Sequence, residues 1–221
     1  MKVLVDGYRI NDLPEAVQSK LRDQAREDIV DGNFEVFREV INDTIKDELG
    51  IDAVASYSLT YSQGDGFYFN TDNFLSSAIE AKIRKALDER YSAKGDLYKA
   101  VNELFIWACD NKHCCIRTHK VFNCGYSYPS KRDVDCSELF EAFEDENEGF
   151  IKALNGITID QVEEEFLNTV TRVYLDICKY YESVGYRCYD VDDAEIEVLL
   201  SDDIYLKDGT FLGTAEQLGV R

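Results

Sequence analysis

Positive charge, histidine and proline are scarce in this chain of 221 residues: 24 Lys and Arg stand against 44 Asp and Glu, with 2 His and 2 Pro. A net charge of −20 repels nucleic acid and anionic membranes, both of which demand a positive face. Two histidines leave little for histidine-based acid–base catalysis. So little proline beside 13 Gly excludes collagen-like and low-complexity chains. No run of about 18 apolar residues is present, so no membrane-spanning helix is expected. The opening Met-Lys-Val-Leu-Val-Asp lacks the apolar core of a secretion signal. The 7 Cys are an odd number, in a chain too long to need a disulfide framework. The expectation is a cytosolic chain with reduced thiols.

What is present suffices for a packed core. Apolar residues make up 45% and aromatics 12%, with 14 Tyr and 12 Phe, which excludes intrinsic disorder. A chain of this length buries about 70% of its unfolded surface, so it needs neither disulfide nor metal to fold. The charge is lopsided. Residues 1–132 hold 21 acids and 18 bases, whereas 133–203 hold 21 acids and only 4 bases, Lys152, Arg172, Lys179 and Arg187. Such asymmetry indicates a specialised face more than general solubility.

Periodicity outlines the elements. Asp12-Leu13-Pro14-Glu15 is a helix start, and Val17, Leu21, Ala25 and Ile29 repeat every four residues up to Gly32, which is expected to end the helix. A second helix is expected over 34–49, with Phe37, Val40, Ile41, Ile45 and Leu49 inward and Gly50 as its stop. Strands are expected at 53–61 and 67–69, helices at 73–90 and 96–109, and strands at 113–122 and 132–136. A helix at 138–144, a long helix over 160–184, a strand at 186–190 and a helix at 192–200 follow. Asp208-Gly209 between β-prone residues predicts a closing hairpin over 205–212. Helices and hairpins alternate without a repeated strand–helix–strand unit. This favours an α+β fold in which an antiparallel sheet of hairpins packs against several helices. With no linker or repeat visible, residues 1–221 are expected to form a single domain with an acidic subregion at 133–203.

Three groups of residues could carry chemistry. In the loop Ser62-Gln63-Gly64-Asp65-Gly66 the glycines permit a tight turn. It is either a plain hairpin turn or a binding loop offering Ser62, Gln63 and Asp65 beside backbone amides. Cys109, His113, Cys114, Cys115, His119 and Cys124 are soft ligands, but no Cys-x-x-Cys pair occurs among them. They are expected to be small core residues, with Cys109, His113, Cys114 and His119 as weak metal candidates. The third group is the acidic field of Glu141, Glu144, Asp145, Glu146 and Glu148, Glu163 and Glu164, and Asp192, Asp193 and Glu195. Carboxylates three or four apart on a helix lie about 5–6 Å from each other, a density that can imitate nucleic-acid phosphates. The field is an interface for a basic partner, solvated surface or a metal site, although the twelve-residue loop of a calcium hand is absent. No Gly-x-Ser-x-Gly, His-Glu-x-x-His, Walker or dinucleotide signature occurs, and no cofactor is expected.

The segment Ile10-Asn11-Asp12-Leu13-Pro14-Glu15-Ala16-Val17, the Ser62–Gly66 element followed by Phe67-Tyr68-Phe69, and Gly125-Tyr126-Ser127-Tyr128 together resemble an uncharacterised group of phage and prophage proteins with a Ser-Gln-Gly-Asp-Gly hairpin. Tyr205-Leu206-Lys207-Asp208-Gly209 is similar to the short hairpin that closes that group. The resemblance implies a phage origin and expression in the host cytoplasm, and carries no chemistry with it. Joined to the acidity, it leads to the expectation of a non-enzymatic phage accessory protein. Such a protein would bind and inhibit a basic, nucleic-acid-handling host defence protein of the CRISPR-effector or restriction-nuclease kind, without itself touching nucleic acid or membrane. A small enzyme or nucleotide-binding protein using the Ser62–Gly66 loop, or a phage housekeeping protein, stands as the alternative.

Overall fold

The computed structural model describes residues 6–60, 65–90, 95–111, 115–119, 129–130, 133–154 and 156–219. Among these the chain is α+β, with helices α1 (Glu15–Leu49), α2 (Ser77–Arg90), α3 (Asp96–Asp110), α4 (Ser137–Glu146), α5 (Glu148–Lys152), α6 (Ile159–Tyr186), α7 (Asp193–Leu200) and α8 (Ala215–Leu218). Strands β1 (Val54–Ser58) and β2 (Gly66–Asn70), β3 (Arg117–Thr118) and β4 (Val134–Asp135), and β5 (Asp203–Tyr205) and β6 (Phe211–Thr214) pair antiparallel. They make three separate two-stranded sheets rather than one. Contacts divide the chain into two compact units, one of residues up to Arg38 with those from Tyr186 onward, the other from Glu39 to Gly185.

The second unit is organised by α6. Val162, Phe166, Val170, Val173, Ile177 and Tyr181 recur every three or four residues and are all buried. Against this stripe β2 turns Phe67 and Phe69 inward, both fully buried. The Tyr174 ring meets Phe69 edge-on at 5.1 Å, and its hydroxyl donates to the Phe69 carbonyl. Ile79, Ile83 and Leu87 of α2 and Val101, Leu104, Phe105 and Ala108 of α3 bury the matching faces of their helices. Thr71 and Thr118 exchange backbone hydrogen bonds at 3.0 and 2.9 Å, joining the β3–β4 pair to the end of β2.

In the first unit Ile10, Leu13, Ala25, Ile196, Leu200 and Tyr205 form a small core. Tyr8 bridges Tyr205 beside the β5–β6 hairpin. The turn is held by Asp208, whose carboxylate accepts from the Thr210 amide.

Several expectations differ from the structure. Gly32 does not end a helix, because α1 runs unbroken from Glu15 to Leu49. A helix-interior glycine costs only about 1 kcal/mol relative to alanine, and buried residues on both sides of it offset that. Gly50 does act as the stop, with φ of +68° and its amide bonded back to the Lys46 carbonyl. Val40 is exposed rather than inward. Residues 187–189 form a 3-10 turn, not a strand. The α6 helix passes through buried Gly185 to Tyr186 before that turn, and Tyr189 meets Phe34 edge-on at 5.0 Å.

Candidate functional site

Helix α4 gathers the acidic field. Its start is organised by Asp135, whose carboxylate accepts from the amide and the hydroxyl of Ser137, and these bonds hold its pKa below the usual carboxylate range. Ser137 is the first helical residue. Leu139 and Phe143 lie one turn apart and are buried. Phe143 meets Trp107 of α3 at 5.3 Å and Phe150 of α5 at 5.5 Å, and Phe140 meets Phe166 of α6 at 6.0 Å, all edge-on. With the aromatic face so anchored, Glu141, Glu144, Asp145 and Glu146 are left exposed, as is Glu148 on α5.

The Phe140–Phe166 contact also brings Glu163, one turn before Phe166, beside Glu144. Glu163 is half-buried, and its pKa is pushed up to about 7, first by desolvation and then by hydrogen bonding to Glu144 and the negative charge of Glu144 and Asp160. The Oε1 atom of Glu163 is buried with no hydrogen-bond partner, a position a neutral carboxyl tolerates better than a charged one.

Compensation within the chain is partial. Glu138 pairs with Arg117 at 2.6 Å, Glu148 with Lys152 at 2.7 Å, and Glu165 with Arg90 at 2.8 Å. Glu141, Asp145 and Glu146 have no ion pair among the described residues. Glu164 is exposed on α6. The other three predicted acids belong to the first unit and serve its local structure. Asp192 caps α7 by accepting from the Ala194 amide, Glu195 closes the same capping box, and Asp193 pairs with Arg26 at 2.7 Å.

In the glycine-rich loop, Ser62, Gln63 and Gly64 lie outside the described residues. Gly66 opens β2 opposite Ser58. Asp65 is buried, and its carboxylate accepts from the Ser58 hydroxyl at 3.1 Å, the Thr60 amide at 2.6 Å and the Thr60 hydroxyl at 3.0 Å. Its charge is thus committed to tying the hairpin. Of the metal candidates, His113 and Cys114 lie outside the described residues, Cys109 is half-buried on α3 and His119 is exposed after β3. No group of three or more His, Cys, Asp or Glu among the described residues is arranged to hold a metal ion. Cys136, Cys178 and Cys188 are buried thiols, and desolvation pushes the Cys136 and Cys188 pKa values up, away from reactive thiolates.

Sequence reading missed a cleft of about 510 Å³ walled by the end of α1 and by α2 and α6. Its only trace in the sequence is the four-residue spacing Arg172, Asp176, Tyr180 beside Val173, Ile177, Tyr181. Comparison with known protein families, curated proteins and solved structures returns no match.

Proposed function

We propose that this chain is a non-enzymatic binding protein whose acidic α4–α5–α6 surface docks onto the cationic nucleic-acid-binding surface of a basic protein and occludes it. The class of target in view is a nucleic-acid-handling defence protein of a phage's bacterial host. One observation carries the reading: Glu141, Asp145 and Glu146 stand exposed on α4 with no ion pair among the described residues, beside Glu144 and a half-buried Glu163 whose pKa that crowding helps to raise. Like charges so placed cost stability, and a partner's Lys and Arg would relieve that cost. The loop-centred alternative has less support, because the Asp65 carboxylate is already taken up inside the hairpin.

The test uses a panel of purified host nucleases and other nucleic-acid-binding proteins, with association followed by interferometry. The variant E141Q/E144Q/D145N/E146Q/E148Q should lose affinity chiefly through a slower on-rate, and duplex DNA should compete with the wild-type chain for the partner. A Gln63→Ala variant, which leaves the buried Asp65 in place, should bind as the wild type does. Undiminished binding by the five-site variant, or binding indifferent to DNA, would overturn the proposal.

A further inference from the structure

The cleft between the end of α1, α2 and α6 lies wholly within the second unit. Its volume of about 510 Å³ falls within the roughly 300–1,000 Å³ of small-molecule sites. Helical periodicity builds it. On α6, Val173, Ile177 and Tyr181 make a buried row, and Arg172, Asp176 and Tyr180 make the exposed row next to it. On α2, Lys82, Lys85 and Glu89 share one exposed face, with Ala86 half-buried between them. Buried Leu49 from α1 completes an apolar floor beneath a charged rim.

The rim charges are not equivalent. Glu48 accepts from the Tyr181 hydroxyl at 2.8 Å, and Glu89 lies 3.8 Å from Lys85. Asp176, on the exposed row with Arg172, has no ion pair among the described residues. Lys82 and Arg172 face the cleft from different helices, and neither has a carboxylate within ion-pair distance among the described residues. Lys82 and Arg172 thus keep N–H donors free above an apolar floor, donors that a carboxylate head can take up. The half-exposed Tyr180 ring, at 50%, stands ready to cover an apolar body.

We infer that this cleft binds a small amphipathic anion, with Lys82 and Arg172 holding its charged head and Leu49, Val173 and Ile177 receiving its apolar body. Head and body each contribute: the head forms charge-assisted bonds, and the body displaces water from apolar surface. The site is separate from the acidic α4–α5–α6 surface, and neither reading depends on the other.

Titration calorimetry with sodium octanoate on the full chain tests the inference, with octan-1-ol supplying the apolar body alone and acetate the charge alone. Octanoate should bind about tenfold or more tightly than either. The variant K82Q/R172Q, which alters only exposed side chains, should lose about tenfold or more in octanoate affinity and none of its preference over acetate that comes from the floor. Ala86→Trp should fill the cleft and abolish binding. Lys179→Gln, on α6 but outside the cleft, and the five-site acidic variant should bind octanoate as the wild type does. Absence of octanoate binding to the wild-type chain, equal affinity for octan-1-ol, or unchanged binding by folded K82Q/R172Q would overturn the inference.

Discussion

Glu163 shows how one side chain reports the field of its surroundings. Its pKa in the folded protein, about 7, lies above the ordinary 4.5 of a glutamate. The folded state therefore binds more protons than the unfolded state between those values, and stability from this group is present below the window and lost as pH rises through about 7. Because the side chain is only half-buried, solvent screening discounts the effect to on the order of 1 kcal/mol. Glu163→Gln keeps a neutral hydrogen-bonding group, so the variant should lose less stability between pH 4.5 and 7 than the wild type. Urea unfolding across that pH range checks this, and parallel slopes for the two proteins would refute it. Asp65 is the opposite case. It too is a carboxylate in an acidic chain, but three donors surround it, and it acts as the internal tie of a hairpin.

At the scale of elements, α1 carries a clear lesson about local signals. Gly32 reads as a terminator, yet the helix continues through it with nothing within 4 Å of where a side chain would begin. Gly32→Ala should then stabilise the protein by about 0.5–1 kcal/mol, through helix propensity and a less flexible unfolded chain. Thermal or urea unfolding would measure it, and a destabilised variant would show that the glycine has a packing role. Helix α4 makes the complementary point. Its acids face solvent because Phe140 and Phe143 are seated against aromatic rings of α6, α3 and α5. The charge pattern is the outer side of an apolar pattern.

For the whole molecule, the excess of negative charge is shared between the two units. Residues 133–185 hold 14 acids and 3 bases, and 186–203 hold 7 acids and 1 base. In the first unit, Asp193 and Glu197 pair with Arg26 and Arg22 at 2.7 Å each, while on α4 Glu141, Asp145 and Glu146 have no ion pair among the described residues. Self-repulsion of this kind is screened as the Debye length falls from about 10 Å at 0.1 M to about 3 Å at 1 M salt. The midpoint of thermal unfolding should therefore rise with sodium chloride across that range, and rise less in the five-site acidic variant. A midpoint insensitive to salt would mean that the acids repel one another too weakly to matter.

Much of the fold was legible in the residues alone. The α6 stripe, the helices α2 and α3, the acidic α4, the β1–β2 and β5–β6 hairpins and the α+β class all follow from spacing and turn chemistry, because each is a local pattern of which face is apolar. The position of the excess charge along the chain was legible for the same reason. Other features depended on residues distant in sequence. Whether Gly32 breaks a helix is decided by what its flanks bury. Asp65 turns inward because Ser58 and Thr60 meet it across the hairpin. The pKa of Glu163 is raised by its own burial and by Glu144, which comes from another helix, and the α1–α2–α6 cleft arises where three separate helix faces converge. A linear pattern records which residues are apolar or charged, but only packing decides which of them meet, and proximity sets both pKa and pocket.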